Sequence, residues 1–82
     1  MRAADGMYVE WVDDEAVVLD AATGKLHYLN PPAALFYALV LEHGFEPAVE
    51  RVRQMYDGDR STDEELSQMI EQMSENGLLT DE

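Results

Sequence analysis

Hydrophobic and polar positions alternate along the first third of the chain and change to helical spacing after it. Met7 to Val12 reads MYVEWV, with Met7, Val9 and Trp11 on one face; a period of two is that of a β-strand. Asp13 and Asp14 break the pattern. Glu15 to Asp20, EAVVLD, is an aliphatic and β-branched run that predicts a second strand. The run AATG follows, with Gly24 free to take positive φ in a hairpin loop. Lys25 to Leu29, KLHYL, then predicts a third strand, with Leu26 and Tyr28 on one face and His27 and Leu29 on the other. Three consecutive strands joined by short turns form an antiparallel meander, so the third lies at a sheet edge.

From Asn30 onward the spacing is helical. Asn30 reads as a turn or N-cap residue, and Pro31 and Pro32 suit a first helical turn, where a missing N–H costs nothing. Ala33, Phe36, Tyr37 and Val40 form one apolar stripe. Leu35, Leu39 and Leu41 lie beyond it, so this helix is apolar on most sides and is buried twice or meets a partner. Gly44 is placed to end it. A second helix opens at Glu46 and Pro47, with Val49, Val52, Met55 and Tyr56 expected inward. A third is expected to be capped by Ser61 or Thr62, each with a glutamate three residues on, and to bury Leu66, Met69, Ile70 and Met73. Asn76-Gly77 stops it, and Leu78 and Leu79 are expected to return to the core. The order βββααα predicts an α+β domain with helices on one face of a three-stranded antiparallel sheet. Residues 1–6 are expected to be a flexible terminus, 7–79 one domain, and 80–82 a tail.

Composition removes function classes rather than naming one. Eighteen acids against five bases give a net charge of −13. Nucleic-acid binding needs Lys and Arg to neutralise phosphates, and anionic membranes need the same, so neither is an expected partner. No cysteine is present, which removes disulfides, thiolate nucleophiles and Cys-based metal sites. The longest apolar run, Ala33 to Leu41, is too short to span a membrane, and the first ten residues lack a signal-peptide pattern; a cytoplasmic protein is expected.

Candidate chemistry is sparse. His27 and His43 lack the spacing of a paired metal site; His27 reads as a partly exposed packing residue, His43 as a partner for the negative end of the first helix. Asp57 to Gln68, DGDRSTDEELSQ, imitates a calcium loop. Thr62 stands where glycine is required and Gln68 where a bidentate glutamate is required, so a solvated loop and helix cap is the better reading. No Ser–His–Asp order and no Gly-rich phosphate loop occurs. No enzyme, cofactor or metal is expected. Met69 and Met73 sit one turn apart; the Met69 thioether suits either a core or an adaptable peptide groove, and Met73 reads as core.

The run LDAATGKLHYLNPPAALFYALV, Leu19 to Val40, resembles the PqqD-like family, the RiPP recognition elements. The shared features are Leu19-Asp20, Thr23-Gly24, a Tyr-bearing strand, Leu29-Asn30, Ala33, Tyr37 and the closing run Glu75 to Leu79. The resemblance covers roughly residues 7 to 79. It implies a winged-helix-like fold that binds the leader segment of a ribosomally made precursor peptide. The leader would add as a strand beside the third strand, against the third helix, and partner enzymes such as a leader peptidase would act on the captured precursor. Stand-alone members of lasso-peptide pathways are the most similar type; the pyrroloquinoline-quinone member fits less well, because the DxxTG turn belongs more to the other branch. The resemblance puts Lys25, Leu26, His27, Tyr28, Leu29, Glu65, Leu66, Met69 and Gln72 at the peptide site. Glu65-Leu66 departs from the family pattern, which carries Asp before the aliphatic residue; the charge is kept and the reach is longer. A free strand edge supports this mode on physical grounds, since an extended peptide satisfies its unpaired backbone groups. Two other readings stand beside it: a winged-helix DNA-binding protein, opposed by the missing basic face, and a small interaction subunit that docks through the first helix.

Overall fold

The computed structural model describes residues 1–55 and 60–81. Strand β1 (Arg2–Ala3) leads into the meander of β2 (Met7–Val12), β3 (Glu15–Asp20) and β4 (Leu26–Leu29). Helices α1 (Pro31–His43), α2 (Phe45–Met55) and α3 (Arg60–Glu75) follow, and β5 (Leu79–Thr80) closes the chain. The meander is antiparallel in the order β2-β3-β4, as the alternation predicts. Its register places Tyr8, Leu19 and Leu26 in one row and Val9, Val18 and His27 in the next.

The turns follow from a few residues. Asp13 takes φ 57 between β2 and β3, a left-handed conformation that Asp tolerates. At the second turn the Asp20 side chain accepts from the Ala22 N–H at 2.9 Å, and the Gly24 N–H donates to the Asp20 carbonyl at 2.7 Å. Gly24 has φ 75, where a side chain would be strained.

Helix α1 starts where the sequence sets its cap. The Ala33 N–H donates to Asn30 Oδ1 at 3.1 Å, and Pro31 and Pro32 occupy the next positions. Its inward residues Ala34, Phe36, Tyr37 and Val40 pack with Ala16, Val18 and Leu29 of the sheet and with Ala48, Val52, Leu66 and Met73 of the other helices. Phe36 meets Phe45 edge-on, centroids 6.1 Å apart. Gly77, at φ 77, ends α3, and the Leu78 N–H donates to the Met73 carbonyl at 2.8 Å. That turn sends Leu78 and Leu79 into the core, as expected.

Several expectations need correction. Arg2–Ala3 were placed in a flexible terminus and Thr80 in a tail, but Arg2 pairs with Thr80 and Ala3 with Leu79; two-residue strands carry no periodic signal. Met55 is exposed rather than inward, and Tyr56 lies outside the described residues. Ser61 and Thr62 are not caps, since α3 is already helical at Arg60. Residues 60–68 of the calcium-like run are helix, 57–59 lie outside the described residues, and no cluster of three or more His, Asp or Glu that could hold a metal occurs among the described ones. No described helix is long and apolar enough to cross a membrane.

Candidate peptide-binding groove

Hydrogen-bond alternation decides what β4 leaves open. The Asp20 N–H donates to the Lys25 carbonyl at 2.9 Å. In the β3–β4 register, Val18 with His27 and Ala16 with Leu29 are therefore the pairs that exchange backbone bonds. The N–H and C=O groups of Leu26 and Tyr28 consequently point away from β3. No strand pairs with that side among the described residues. Four backbone groups thus line one open edge, over a length of about 13 Å.

A groove of about 330 Å³ runs beside this edge. Leu26, His27, Tyr28 and Leu29 form one wall. Met69, Gln72, Met73 and Asn76 of α3 and its end form the other, and Asn30, Ala33 and Leu78 complete it. Helical spacing explains the second wall: Met69, Gln72, Met73 and Asn76 recur every three to four residues on one side of α3. An adjoining hollow continues the groove past Pro32 to Glu65 and Gln68, and Glu65 is the one formally charged residue among these linings.

The expected site residues divide three ways. Leu26, His27, Tyr28, Leu29, Met69 and Gln72 converge on the groove, with Glu65 at its extension. Lys25 lies in the turn before β4 and lines neither hollow. Leu66 is buried in the core; it shares the inward side of α3 with Met73 and supports the wall from behind. Leu26 is 68% exposed, its side chain on the face opposite the core. Asn30, Ala33, Gln68, Asn76 and Leu78 line the hollows without being marked in the sequence, and Met73, read as core, is buried and lines the groove as well. Asn30 and Ala33 were read as cap and helix stripe, and the same helical spacing that marked Met69 would have added Met73 and Asn76.

Polar chemistry on β4 is uneven. The Tyr28 hydroxyl donates to a Glu15 carboxylate oxygen, and that bond is the main reason its pKa is raised above the ordinary phenol value. Burial raises the pKa of Tyr37, whose hydroxyl is enclosed without a hydrogen-bond partner among the described residues. Nε2 of His27 is likewise enclosed and unpartnered. Leaving such a group unsatisfied costs about 1–3 kcal/mol. The described residues present an open strand edge, an adaptable thioether wall and one shielded imidazole nitrogen. That arrangement suits the capture of an extended peptide.

Comparison with known proteins bears on the fold and the family. No curated protein matches the chain. The solved structure of TbiB1 in complex with the TbiA(beta) leader peptide superposes with a TM-score of 0.84 at 24% identity, covering 100% of this chain and 98% of that one; the two share a fold. The family model for coenzyme PQQ synthesis protein D, PqqD, matches residues 15–79, a span that runs from the start of β3 through the groove to the first residue of β5, and the chain belongs to the PqqD family.

Proposed function

We propose that this chain is a non-catalytic recognition module for a ribosomally made precursor peptide. An extended leader segment joins the sheet at β4, pairing with the open N–H and C=O groups of Leu26 and Tyr28, while alternate side chains enter the groove against α3. The held precursor is then presented to maturation enzymes, among them a leader peptidase, on the route to a lasso-type product. The observation that carries the reading is the coincidence of a strand edge unpaired among the described residues with a groove on the same side of the same strand. The fold it shares with TbiB1, which is solved with a leader peptide bound, supports it. The backbone ladder supplies affinity that is indifferent to sequence, and the groove supplies selection.

Selection of a displayed library of random 15-residue peptides against the domain, followed by calorimetry of the enriched peptide, tests this. The expected result is one family of related sequences that bind one to one and lose affinity at least tenfold when proline replaces a residue in the paired segment, because proline removes a donor and fixes φ. Enriched peptides that tolerate proline throughout the bound segment would overturn strand addition.

A further inference from the structure

The outward face of the sheet carries a row of apolar side chains that stops at the open edge. Tyr8, Leu19 and Leu26 lie side by side across β2, β3 and β4, and they are 66%, 37% and 68% exposed. The helices pack on the opposite face, against Ala16, Val18 and Leu29. Leu19 covers one flank of Leu26, and the other flank faces the edge that no described strand pairs with. The next row, Glu10, Val17 and Tyr28, differs in two ways. It includes a carboxylate, and the Tyr28 hydroxyl donates to Glu15 of β3. That bond holds the phenol ring over the sheet rather than toward the edge.

A strand added beyond β4 continues both rows. The peptide residue paired with Leu26 points to the outward face, with its Cβ about 4.5–5.5 Å from that of Leu26. Resting on the proposed strand addition, we infer that Leu26 is a specificity-determining residue: the peptide residue paired with it is aliphatic or aromatic and extends the Tyr8–Leu19–Leu26 row by one place. The two side chains then remove apolar surface from water together, which a polar or charged residue at that place does not do. The peptide residue paired with Tyr28 meets a ring already held by Glu15, so the demand for an apolar side chain is weaker there. Selection acts on both faces of the peptide. The groove reads the side chain that points inward, and the outward row reads its neighbour.

The test uses the display-selected peptide, with the positions paired to Leu26 and Tyr28 located by cross-strand nuclear Overhauser contacts. Each position is made valine or threonine in turn. The two side chains share shape and strand propensity and differ in one methyl against one hydroxyl. With the native protein, valine beside Leu26 should bind about threefold tighter than threonine, read by calorimetry, and the same exchange beside Tyr28 should matter less. With Leu26→Ser, an exchange at an exposed side chain, the ratio beside position 26 should fall to about unity. A ratio that survives Leu26→Ser, or is no larger beside Leu26 than beside Tyr28, overturns the inference. If Leu26→Ser does not fold, Overhauser contacts between the Leu26 methyls and the peptide valine methyls in the native complex decide, and their absence overturns it. Amide protection at Leu26 and Tyr28, recorded on the same samples, separates the two claims. Protection without a valine preference removes the role of Leu26 and leaves strand addition standing; absence of protection removes both.

Discussion

Two of the hollows on this domain are similar in size and differ in what the adjacent backbone offers. The groove between β4 and α3 holds about 330 Å³. A second hollow of about 390 Å³ lies where Trp11 and the Asp13–Asp14 turn approach Pro31, Pro32, Ala34, Leu35 and Ala38 of α1. The second is walled by a large aromatic, 48% exposed, and by the outward side of an apolar helix. By hydrophobicity alone it is the more inviting. Its helical wall, however, has spent its N–H and C=O groups on its own turns, and its two prolines have no N–H. A ligand on that wall gains side-chain contact only, and of β2, itself a sheet edge, only Trp11 borders this hollow. Beside the first groove, Leu26 and Tyr28 still have backbone groups to give. An apolar hollow accepts any partner of suitable shape; a hollow beside an open strand edge accepts an extended chain in a fixed register.

The comparison can be broken at its shared support. Phe36 is fully buried on the inward side of α1, the helix that contributes lining residues to both hollows. Phe36→Ala should cost about 3–5 kcal/mol, a large part of the stability of a small domain. Urea denaturation followed by circular dichroism should show the midpoint collapse, and peptide binding should disappear with it. A midpoint shift equivalent to less than about 1 kcal/mol would mean that α1 is not held as described.

A matched pair then separates the hollows. Met69 lines the β4 groove and Leu35 the other. Met69→Ala should weaken the selected peptide by roughly 1–2 kcal/mol, about tenfold or more, without unfolding the domain. Leu35→Ala should leave that affinity within twofold. The reverse ranking, read by calorimetry, would move the peptide to α1 and favour the interaction-subunit reading.

A smaller effect sharpens the join between strand and helix. Asn30 caps α1 and also lines the groove. Asn30→Ala should lower stability by about 1 kcal/mol, which for a domain of this size lowers Tm by roughly 4–8 °C. Asn30→Asp, which keeps the acceptor, should recover most of that loss in a thermal melt.

Much of this was legible in the sequence because one signal dominated each element. Alternation set β2 and β3, the Asn30-Pro31-Pro32 run set the start of α1, and Asn76-Gly77 set the end of α3. Legibility failed where a neighbour decides. The helical stripe turns Leu66 into the core, where it lies. The resemblance, which groups it with Glu65, puts it at the peptide site instead, although one residue is 100° around a helix. The pairing of Ala3 with Leu79 joins the two ends of the chain, and two residues give no period to read. Period two puts His27 on the face of Leu29 without saying which face is inward; that its Nε2 is shielded and unpartnered among the described residues depends on packing that no local pattern records.

The central claim is that β4 binds through its open backbone edge, and residue-resolved amide exchange tests it most directly. In the free domain the Leu26 and Tyr28 amides should exchange fast, while those of His27 and Leu29, already bonded to β3, should be protected. Adding the selected peptide should slow Leu26 and Tyr28 markedly, as each N–H gains a peptide carbonyl, and should change His27 and Leu29 much less. Binding that leaves Leu26 and Tyr28 fast while new protection gathers on α1 around Leu35 and Leu39 would contradict the account and place the peptide on the helix.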